Sequence, residues 1–259
     1  MTKPCADLIR VSDLTVEIAG KTVCRDLNFA ARAGESWAIL GINGAGKTTL
    51  LHTLGGLRAP SAGEVFIGGS ALRSMTRKQA ARKVGLLAQT SEDPFPSTLL
   101  DTALIGRHPY LHRLEWESEE DESIARRALA EVGLSEMDDR LAHTLSGGER
   151  RLLALATLLT QNPPVFLLDE PSNHLDLHQQ IAVLDLLHTR AQDGKALVMV
   201  LHDVNLALRY CDHVLLLYGD GQTEQGEIAA VLDEARLTRL YRHPVVALPG
   251  SRQRVFLAG

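Results

Sequence analysis

The segment Gly41–Thr48, with the sequence GINGAGKT, limits the possible folds of this chain more than any other stretch. It fits the pattern G-x-x-x-x-G-K-[ST], in which glycines let backbone N–H groups curl around an anion without a Cβ clash. The apolar run Ser36–Leu40 precedes it and a helix-like run follows it, so the positive end of a helix would face the same anion. We therefore expect a phosphate-binding loop between a strand and a helix.

Two further places in the sequence carry matching chemistry. Lys47, near the end of the loop, is placed to reach the β- and γ-phosphates of a nucleotide, and the Thr48 hydroxyl can bind Mg²⁺. The apolar run Val165–Leu168 ends in Asp169 and Glu170. Behind a phosphate-binding loop, such an aspartate predicts a second Mg²⁺ contact, usually through water. The glutamate predicts the group that orients or deprotonates an attacking water.

Composition and charge narrow the class of protein. The chain has 259 residues, 45% of them hydrophobic and 23% charged, which is ordinary for a globular protein. Its formal net charge of -5 argues against a nucleic-acid partner, because dedicated nucleic-acid binders more often carry a basic stripe. The apolar runs are far shorter than the roughly 20 residues needed to span a bilayer. A role at a membrane would therefore need another chain to supply the span.

The order of the apolar runs predicts an α/β fold. The first part alternates like strands, at Leu8–Val11, Leu14–Ile18 and Val23–Ala31. Leu197–Leu201, like Val165–Leu168, is a continuous apolar run, as expected of a parallel strand buried on both faces. Helical patterns dominate residues 98–161 between these parts. We expect a β-rich start, an α/β core, a helical insertion and a return to the core.

The segment Leu145–Glu149, with the sequence LSGGE, resembles the signature motif of ATP-binding cassette (ABC) ATPases. Other motifs of that family follow in its order along the chain. Gln89 resembles the Q-loop glutamine, Pro171–Asp176 resembles the D-loop, and His202 resembles the switch histidine. The resemblance covers essentially the whole chain.

This resemblance implies a P-loop NTPase fold of the ABC type. Such a fold has a RecA-like core, an antiparallel β-subdomain and a helical subdomain. We expect residues 1–259 to form one nucleotide-binding domain, with residues 90–162 as the inserted helical subdomain. The resemblance also implies a sandwich homodimer, in which each of two ATP sites takes its signature motif from the opposite chain.

The resemblance assigns three groups of site residues. The catalytic residues are Glu170, His202 and Lys47. The Mg²⁺ contacts are Thr48, Gln89 and Asp169. The nucleotide contacts are Ile18, Gly41, Asn43, Gly44, Ala45, Gly46, Lys47, Thr48, Thr49, Gln89, Ser146, Gly147 and Gly148. The cofactors implied are ATP and Mg²⁺.

The chain departs from the family pattern at two places. Many members carry an aromatic residue that stacks on adenine where this chain has Ile18, so the stacking contribution to base selectivity is lost. The signature helix usually continues with Gln-Arg, where this chain has Arg151-Leu152. We expect that second position to serve helix packing and surface contact, without a change in ATP chemistry.

One segment favours a particular transport group. Gly106–Tyr110, with the sequence GRHPY, resembles a segment in the ATPases of iron–siderophore, haem and cobalamin importers. That resemblance implies transmembrane permease subunits as partners, a substrate-binding protein acting indirectly, and a place at the cytoplasmic face of the membrane. The loop Thr90–Ser97, with Phe95, would then touch the permease.

Alternatives to the importer remain open. A plain loop with a helix stop at Pro109 also accounts for Gly106–Tyr110. A soluble ABC ATPase acting on a ribosome or nucleic acid is the main rival function, and a P-loop kinase would not explain LSGGE or His202. Which substrate is transported lies outside what this sequence can specify.

Overall fold

A computed structural model describes residues 7–89, 96–112, 115–249 and 254–259 of the chain. Of the predicted permease-contacting loop Thr90–Ser97, the part Thr90–Phe95 lies outside the described residues. In the part of the chain that is described, no helix is both long enough and apolar enough to cross a bilayer.

Most of the described residues lie in strands and helices. The strands are, in chain order, β1 (Asp7–Ile18), β2 (Lys21–Arg32), β3 (Ser36–Leu40), β4 (Ala62–Ile67), β5 (Ser70–Ala71), β6 (Val84–Leu87), β7 (Val165–Asp169), β8 (Ala196–Val200), β9 (His213–Leu217), β10 (Thr223–Glu227), β11 (Val245–Pro249) and β12 (Arg254–Ala258). The α-helices are α1 (Lys47–Leu54), α2 (Arg77–Ala81), α3 (Leu99–Leu104), α4 (Glu119–Glu131), α5 (Gly147–Gln161), α6 (Leu177–Gln192), α7 (Val204–Tyr210), α8 (Ile228–Val231) and α9 (Glu234–Tyr241).

The first sheet is antiparallel, with the strand order β2-β1-β4-β5. The sequence predicts two short strands before Gly20, but the structure has one long strand, β1, with a bulge at Asp13. Asp13 has φ +48° there, and Asn28 on β2 holds it through two hydrogen bonds of 2.9 and 3.0 Å. The bulge lets the apolar residues before and after it face the same core.

The second sheet is the α/β core, with the strand order β10-β9-β3-β8-β7-β6. All its pairings are parallel except that of β10 with β9. Alternate residues of β3 face two different apolar cores: Ala38 and Leu40 pack on the helical side, whereas Trp37 and Ile39 pack on the side of the first sheet. Burial on both faces explains why these strands are continuous apolar runs.

Three helices, α3, α4 and α5, lie in sequence between β6 and β7 and pack on one another. Each begins with a capping box in which a hydroxyl and a carboxylate satisfy the free N–H groups of the first turn. Acidic residues from Asp121 onward and Gly133 predict a helix that starts at Asp121, but the cap of α4 is Ser118 and the helix starts two residues earlier, at Glu119. The apolar residues of all three continue the core on the helical side of the second sheet.

The C-terminal residues, for which the sequence pattern predicts no structure, form a hairpin of β11 and β12. Phe256 is buried, and its backbone N–H donates to Oδ1 of Asn205 on α7 at 2.9 Å. The side-chain amide of Asn205 returns a hydrogen bond to the Phe256 carbonyl at 3.1 Å. The tail therefore covers α7, the helix that follows His202.

Candidate active site

Four neighbouring strands deliver the predicted site residues to one edge of the core sheet. The phosphate-binding loop follows β3, Gln89 follows β6, Asp169 ends β7, and His202 follows β8. These strands are parallel and adjacent in the sheet, so their carboxyl ends meet at one edge, where ligands of open α/β sheets bind. The sheet topology thus gathers residues that are far apart in the sequence.

The loop Gly41–Gly46 turns sharply at two glycines that have positive φ angles. Gly44 and Gly46 have φ of +74° and +101°, which residues with a Cβ rarely adopt. A Cβ on Gly46 would lie 2.6 Å from the side chain of Val23 on β2. The loop closes on itself through the hydrogen bond from the N–H of Ala45 to the carbonyl of Ile42, at 3.1 Å. The helix α1 begins directly after it, at Lys47.

Lys47 lies inside the loop that it follows. Its Nζ donates to the carbonyl of Gly41 at 2.8 Å and to that of Ile42 at 3.2 Å. Burial lowers the pKa of this amine, and the negative charges of Glu170 and Asp169 oppose that shift. The ammonium group is therefore held at the loop, close to both carboxylates, where it can meet the phosphates of a nucleotide.

Asp169 is fully buried, and both its carboxylate oxygens lack a well-formed hydrogen bond within the described residues. Burial raises its pKa, while the nearby Thr48 hydroxyl and the charge of Arg151 act in the opposite direction. Buried carboxylate oxygens without partners are costly unless they are paired or bind a metal. A carboxylate beside a threonine hydroxyl is a donor set that suits Mg²⁺ and its waters.

Glu170 accepts hydrogen bonds from three side chains. Oε2 accepts from Nδ2 of Asn173 at 2.7 Å and from Nε2 of Gln89 at 3.3 Å. Oε1 lies 2.5 Å from Nε2 of His202. Burial would raise the pKa of Glu170, but the contacts with His202, Asn173 and Gln89 outweigh it and leave the pKa below its ordinary value. The carboxylate is thus kept ionised, as a general base requires.

The backbone of Glu170 is in the left-handed region, with φ +53°. A non-glycine residue pays of order 1 kcal/mol or more for this conformation. The Glu170 N–H donates to Val200 of β8 at 3.2 Å, and its carbonyl accepts from the N–H of Asn173 at 3.1 Å. These two hydrogen bonds hold Glu170 in a conformation in which its side chain contacts Gln89, Asn173 and His202.

The turn Ser146–Gly148 is separate from this cluster and opens α5. The Ser146 hydroxyl accepts from the N–H of Glu149 at 3.2 Å, which is an ordinary helix cap. Ser146 and Gly147 are exposed, and a Cβ on Gly147 would meet nothing within 4 Å. The packing of the described residues therefore does not require glycine at this position.

Ile18 lies at the end of β1, where it pairs with Lys21 across the turn to β2. Its side chain is 38% exposed. Nζ of Lys21 donates to the carbonyl of Gly44 at 2.6 Å, which ties this hairpin to the phosphate-binding loop. Ile18 is thus beside the loop, and its assignment as an adenine contact stays a prediction.

The family model for the ABC transporter matches residues 24–173, more than half of the chain. The chain belongs to the ABC transporter family. As an ATP-binding subunit of that family it binds and hydrolyses ATP. The fold class expected from the sequence is confirmed.

Curated relatives of this ABC subunit include import proteins. The chain is 37% identical over 230 residues to the petrobactin import ATP-binding protein FpuD of Bacillus anthracis, covering 88% of this chain and 84% of that protein. It is 39% identical over 245 residues to the hemin import ATP-binding protein HmuV of Nocardia farcinica, covering 93% and 84%.

Two solved structures of ABC transporter proteins superpose on this chain. A protein assigned as a metal-chelate type ABC transporter, in an inward-facing conformation, superposes with a TM-score of 0.86 at 27% identity over 98% of both chains. The ATP-binding cassette MJ0796, dimeric and bound to ADP and Pi, superposes with a TM-score of 0.75 at 27% identity, over 85% of this chain and 98% of that one.

Two residues of this ABC subunit contact the site although their sequence context predicts no role there. Asn173 lies in the predicted D-loop segment, but its amide bonds directly to Glu170. Arg151 was expected to serve packing and surface contact, yet it is 7% exposed and donates to backbone carbonyls next to the site. Its position one turn into α5, on the buried face, was the only available signal, and periodicity alone does not predict such a polar contact.

The segment Gly106–Tyr110 forms a tight joint with the end of α5. A Cβ on Gly106 would lie 2.3 Å from the Thr157 carbonyl. Nε of Arg107 lies 2.6 Å from Oδ1 of Asp121 on α4, and the Tyr110 hydroxyl donates to the Gln161 carbonyl at 2.9 Å. The glycine, the arginine and the aromatic ring therefore each have a structural reason, beyond that of a loop with a helix stop.

Proposed function

We propose that this chain is the ATP-hydrolysing subunit of an importer for a metal chelate of the iron–siderophore, haem or cobalamin class. Two relatives support this class, because their names are those of petrobactin and hemin import proteins. One solved structure supports it as well, because it is assigned to a metal-chelate type ABC transporter. The observation that carries the ATPase is the convergence of Gln89, Asn173 and His202 on the Glu170 carboxylate.

In the proposed reaction, Glu170 accepts a proton from the attacking water or orients it toward the γ-phosphate. His202 steadies that water and contacts the γ-phosphate, and Lys47 offsets the negative charge that develops on the transferred group. The loop residues Gly41, Asn43, Gly44, Ala45, Gly46 and Thr49 hold the phosphates, and Ile18 covers the base. Ionised Glu170 and charged Lys47 are the protonation states that this division of work needs.

Asp169, Thr48 and Gln89 are the residues that we propose to hold Mg²⁺. The unpartnered oxygens of Asp169 and the hydroxyl of Thr48 support this, because they are hard oxygen donors next to the phosphate-binding loop. When bound, Mg²⁺ would supply positive charge that offsets the charge of the phosphates.

We propose a homodimer in which Ser146, Gly147 and Gly148 of each chain meet the nucleotide held by the other. The dimeric cassette structure supports this arrangement. The exposed turn with open space at Gly147 supports it as well. A helix N-terminus is suited to a γ-phosphate, and α5 would contribute such an end to the opposite site.

The permease would bind the groove between the end of α1, β4 and β6. This groove has a volume of about 1030 Å³ and is lined by Leu57, Met75 and Leu86, among others. Leu57 is 69% exposed, a large apolar side chain that a partner would cover. Leu86 of β6 lines the groove, and Gln89 follows three residues later. A permease bound in the groove would therefore be connected to the site through this short segment of backbone.

The remaining parts of the proposal concern organisation. Residues 1–259 would form one nucleotide-binding domain with residues 90–162 as its helical subdomain. The subunit would lie on the cytoplasmic face of the membrane through its permease, with a substrate-binding protein acting indirectly and no nucleic-acid partner. The acidic net charge of -5 supports that last point.

The test is a pull-down of tagged Glu170→Gln protein in mild detergent with ATP, from the cells that make it. Recovery of one multi-span membrane protein in equal amount would support the importer. Ribosomes or nucleic acid without a membrane partner would overturn it and leave the ATPase standing. A matched variant, Leu57→Glu with Glu170→Gln, should lose the membrane protein and keep its ATP binding, since Leu57 is exposed and is not among the residues assigned to nucleotide contact.

A further inference from the structure

Arg151 donates hydrogen bonds to three backbone carbonyls at the carboxyl ends of β6 and β7, next to the candidate active site. Its guanidinium bonds to the carbonyls of Ala88 and Asp169, and to that of Glu170 at 3.0 Å. Ala88 lies between the end of β6 and Gln89, Asp169 ends β7, and Glu170 directly follows it. One side chain thus joins the ends of two neighbouring strands at the site.

The side chain that makes these bonds belongs to α5, the helix that Ser146 opens. It is buried, and its Nε has no hydrogen-bond partner among the described residues. Burying a guanidinium costs free energy unless its donors are satisfied. The bonds to carbonyls therefore fix where the charge can lie, and they fix the carbonyls in turn.

The fork of the guanidinium explains why it can do this. Arg has five N–H donors in one rigid plane, whereas the usual glutamine has two on a shorter chain. The charge also lies near the carboxylates of Asp169 and Glu170, with which it interacts favourably. In this chain the position is thus occupied by a residue with a longer reach and a positive charge.

We propose that Arg151 is a positioning residue, through which the signature helix holds Gln89, Asp169 and Glu170 in the geometry needed for hydrolysis. Its hydrogen bonds go to the carbonyls of Ala88, Asp169 and Glu170, so it acts on the site through the backbone. The proposal rests on the site assignment given above. Loss of its bonds would let the strand ends shift, and catalytic geometry is sensitive to shifts of about 1 Å.

The test compares Arg151→Met with Arg151→Lys and Arg151→Gln in the full chain. Met keeps an unbranched, flexible side chain and removes all donors, while Lys and Gln each keep some. We expect Arg151→Met to lower kcat about tenfold, the loss of about one charge-assisted hydrogen bond, with the Kd for ATP changed less than twofold. Lys and Gln should restore part of kcat.

Arg107→Met is the matched control, because Arg107 also bonds to a residue of α5, the Thr160 carbonyl, at the far end of the helix. It should lower the thermal stability and leave the kcat of the folded protein unchanged. If Arg151→Met behaves as Arg107→Met does, the role of Arg151 is structural and the proposal fails. If Glu170→Gln hydrolyses ATP at the normal rate, the site assignment fails first, and the role of Arg151 fails with it.

Discussion

The imidazole Nε2 of His202 lies 2.5 Å from Oε1 of Glu170, and the amide of Asn173 lies 2.7 Å from Oε2. The two residues come from different segments, one after β8 and one after β7. Because both carboxylate oxygens are engaged, the side chain has a single preferred orientation. A charge held so closely is suited to accept a proton from a water brought between it and a phosphate.

Replacing Glu170 by Gln tests the base directly. The amide keeps the size of the side chain but cannot accept a proton, so hydrolysis should fall at least about 100-fold. ATP binding should persist, because the phosphate contacts of Lys47 and the loop are untouched, and the dimer should accumulate with ATP. Single-turnover hydrolysis and gel filtration with ATP would measure both. Near-normal hydrolysis would show that another group activates the water.

Replacing Asn173 by Ala tests the orientation of the base. Glu170 would lose its shortest amide donor on Oε2, and we expect kcat to fall about tenfold, the equivalent of one hydrogen bond to a charged group. The Kd for ATP should change little, since Asn173 bonds to the carboxylate and not to the loop. Replacing Asn28 by Ala, in the first sheet, serves as the control and should leave kcat unchanged.

Two glycines separate packing from function. A Cβ on Gly106 would collide with the Thr157 carbonyl, so Gly106→Ala should destabilise the protein by about 2 kcal/mol or more. A Cβ on Gly147 meets nothing within 4 Å, so Gly147→Ala should not lower stability. It should nevertheless reduce ATPase activity about 100-fold if that space is taken by the partner's nucleotide. Urea unfolding and steady-state hydrolysis distinguish the two effects, and normal hydrolysis by Gly147→Ala would contradict the proposed dimer site.

The pKa of Asp169 predicts a pH dependence of stability. Burial raises it above the ordinary value of 3.8, so the folded protein binds this proton more tightly than the unfolded chain. Stability from this group therefore falls as the pH rises through the window above 3.8. Asp169→Asn removes that loss and should stabilise the nucleotide-free protein at pH 7, by about 1 kcal/mol. The same variant should lose Mg²⁺-dependent hydrolysis.

Asp121→Asn should behave in the opposite way. The backbone hydrogen bond from Ser118, together with Arg107, lowers the pKa of Asp121 below 3.8. Its stabilising effect is present above 3.8 and is lost as the pH falls through the lower folded value. Urea unfolding of both variants from pH 4 to pH 7 should give stability differences of opposite sign. Equal signs would mean that burial does not dominate at Asp169.

The core strands could be predicted closely from the sequence. The apolar runs Ser36–Leu40 and Val84–Leu87 coincide with β3 and β6. Parallel strands that are buried on both faces are nearly continuous apolar runs, so their bounds can be read from the sequence. Gly219-Asp220-Gly221 between two strand-like segments is a sequence pattern that predicts a hairpin, and the structure has that hairpin as β9 and β10. The C-terminal hairpin could not be predicted, since its order depends on a long-range contact with Asn205 that no local pattern records.

The site divides in the same way. The motif residues are recognisable because each is a residue type that suits one chemical task, at a strand end or a helix start. Arg151 and Asn173 act through geometry, one on carbonyls and the other on a carboxylate, and only the folded backbone brings those atoms within reach. Whether the motif residues perform the tasks assigned to them stays a prediction for the experiments above.

The short strand β6 has a mechanical consequence. Leu86 lines the groove proposed for the permease, and Gln89 bonds to Glu170 only three residues later. At roughly 3.3 Å per residue, this separates the transmembrane partner from the catalytic base by about 10 Å of chain. A movement of the permease at the groove would therefore reach Gln89 directly through the backbone of β6. Arg151 bonds to the carbonyl of Ala88, so it would hold the end of that short segment in place.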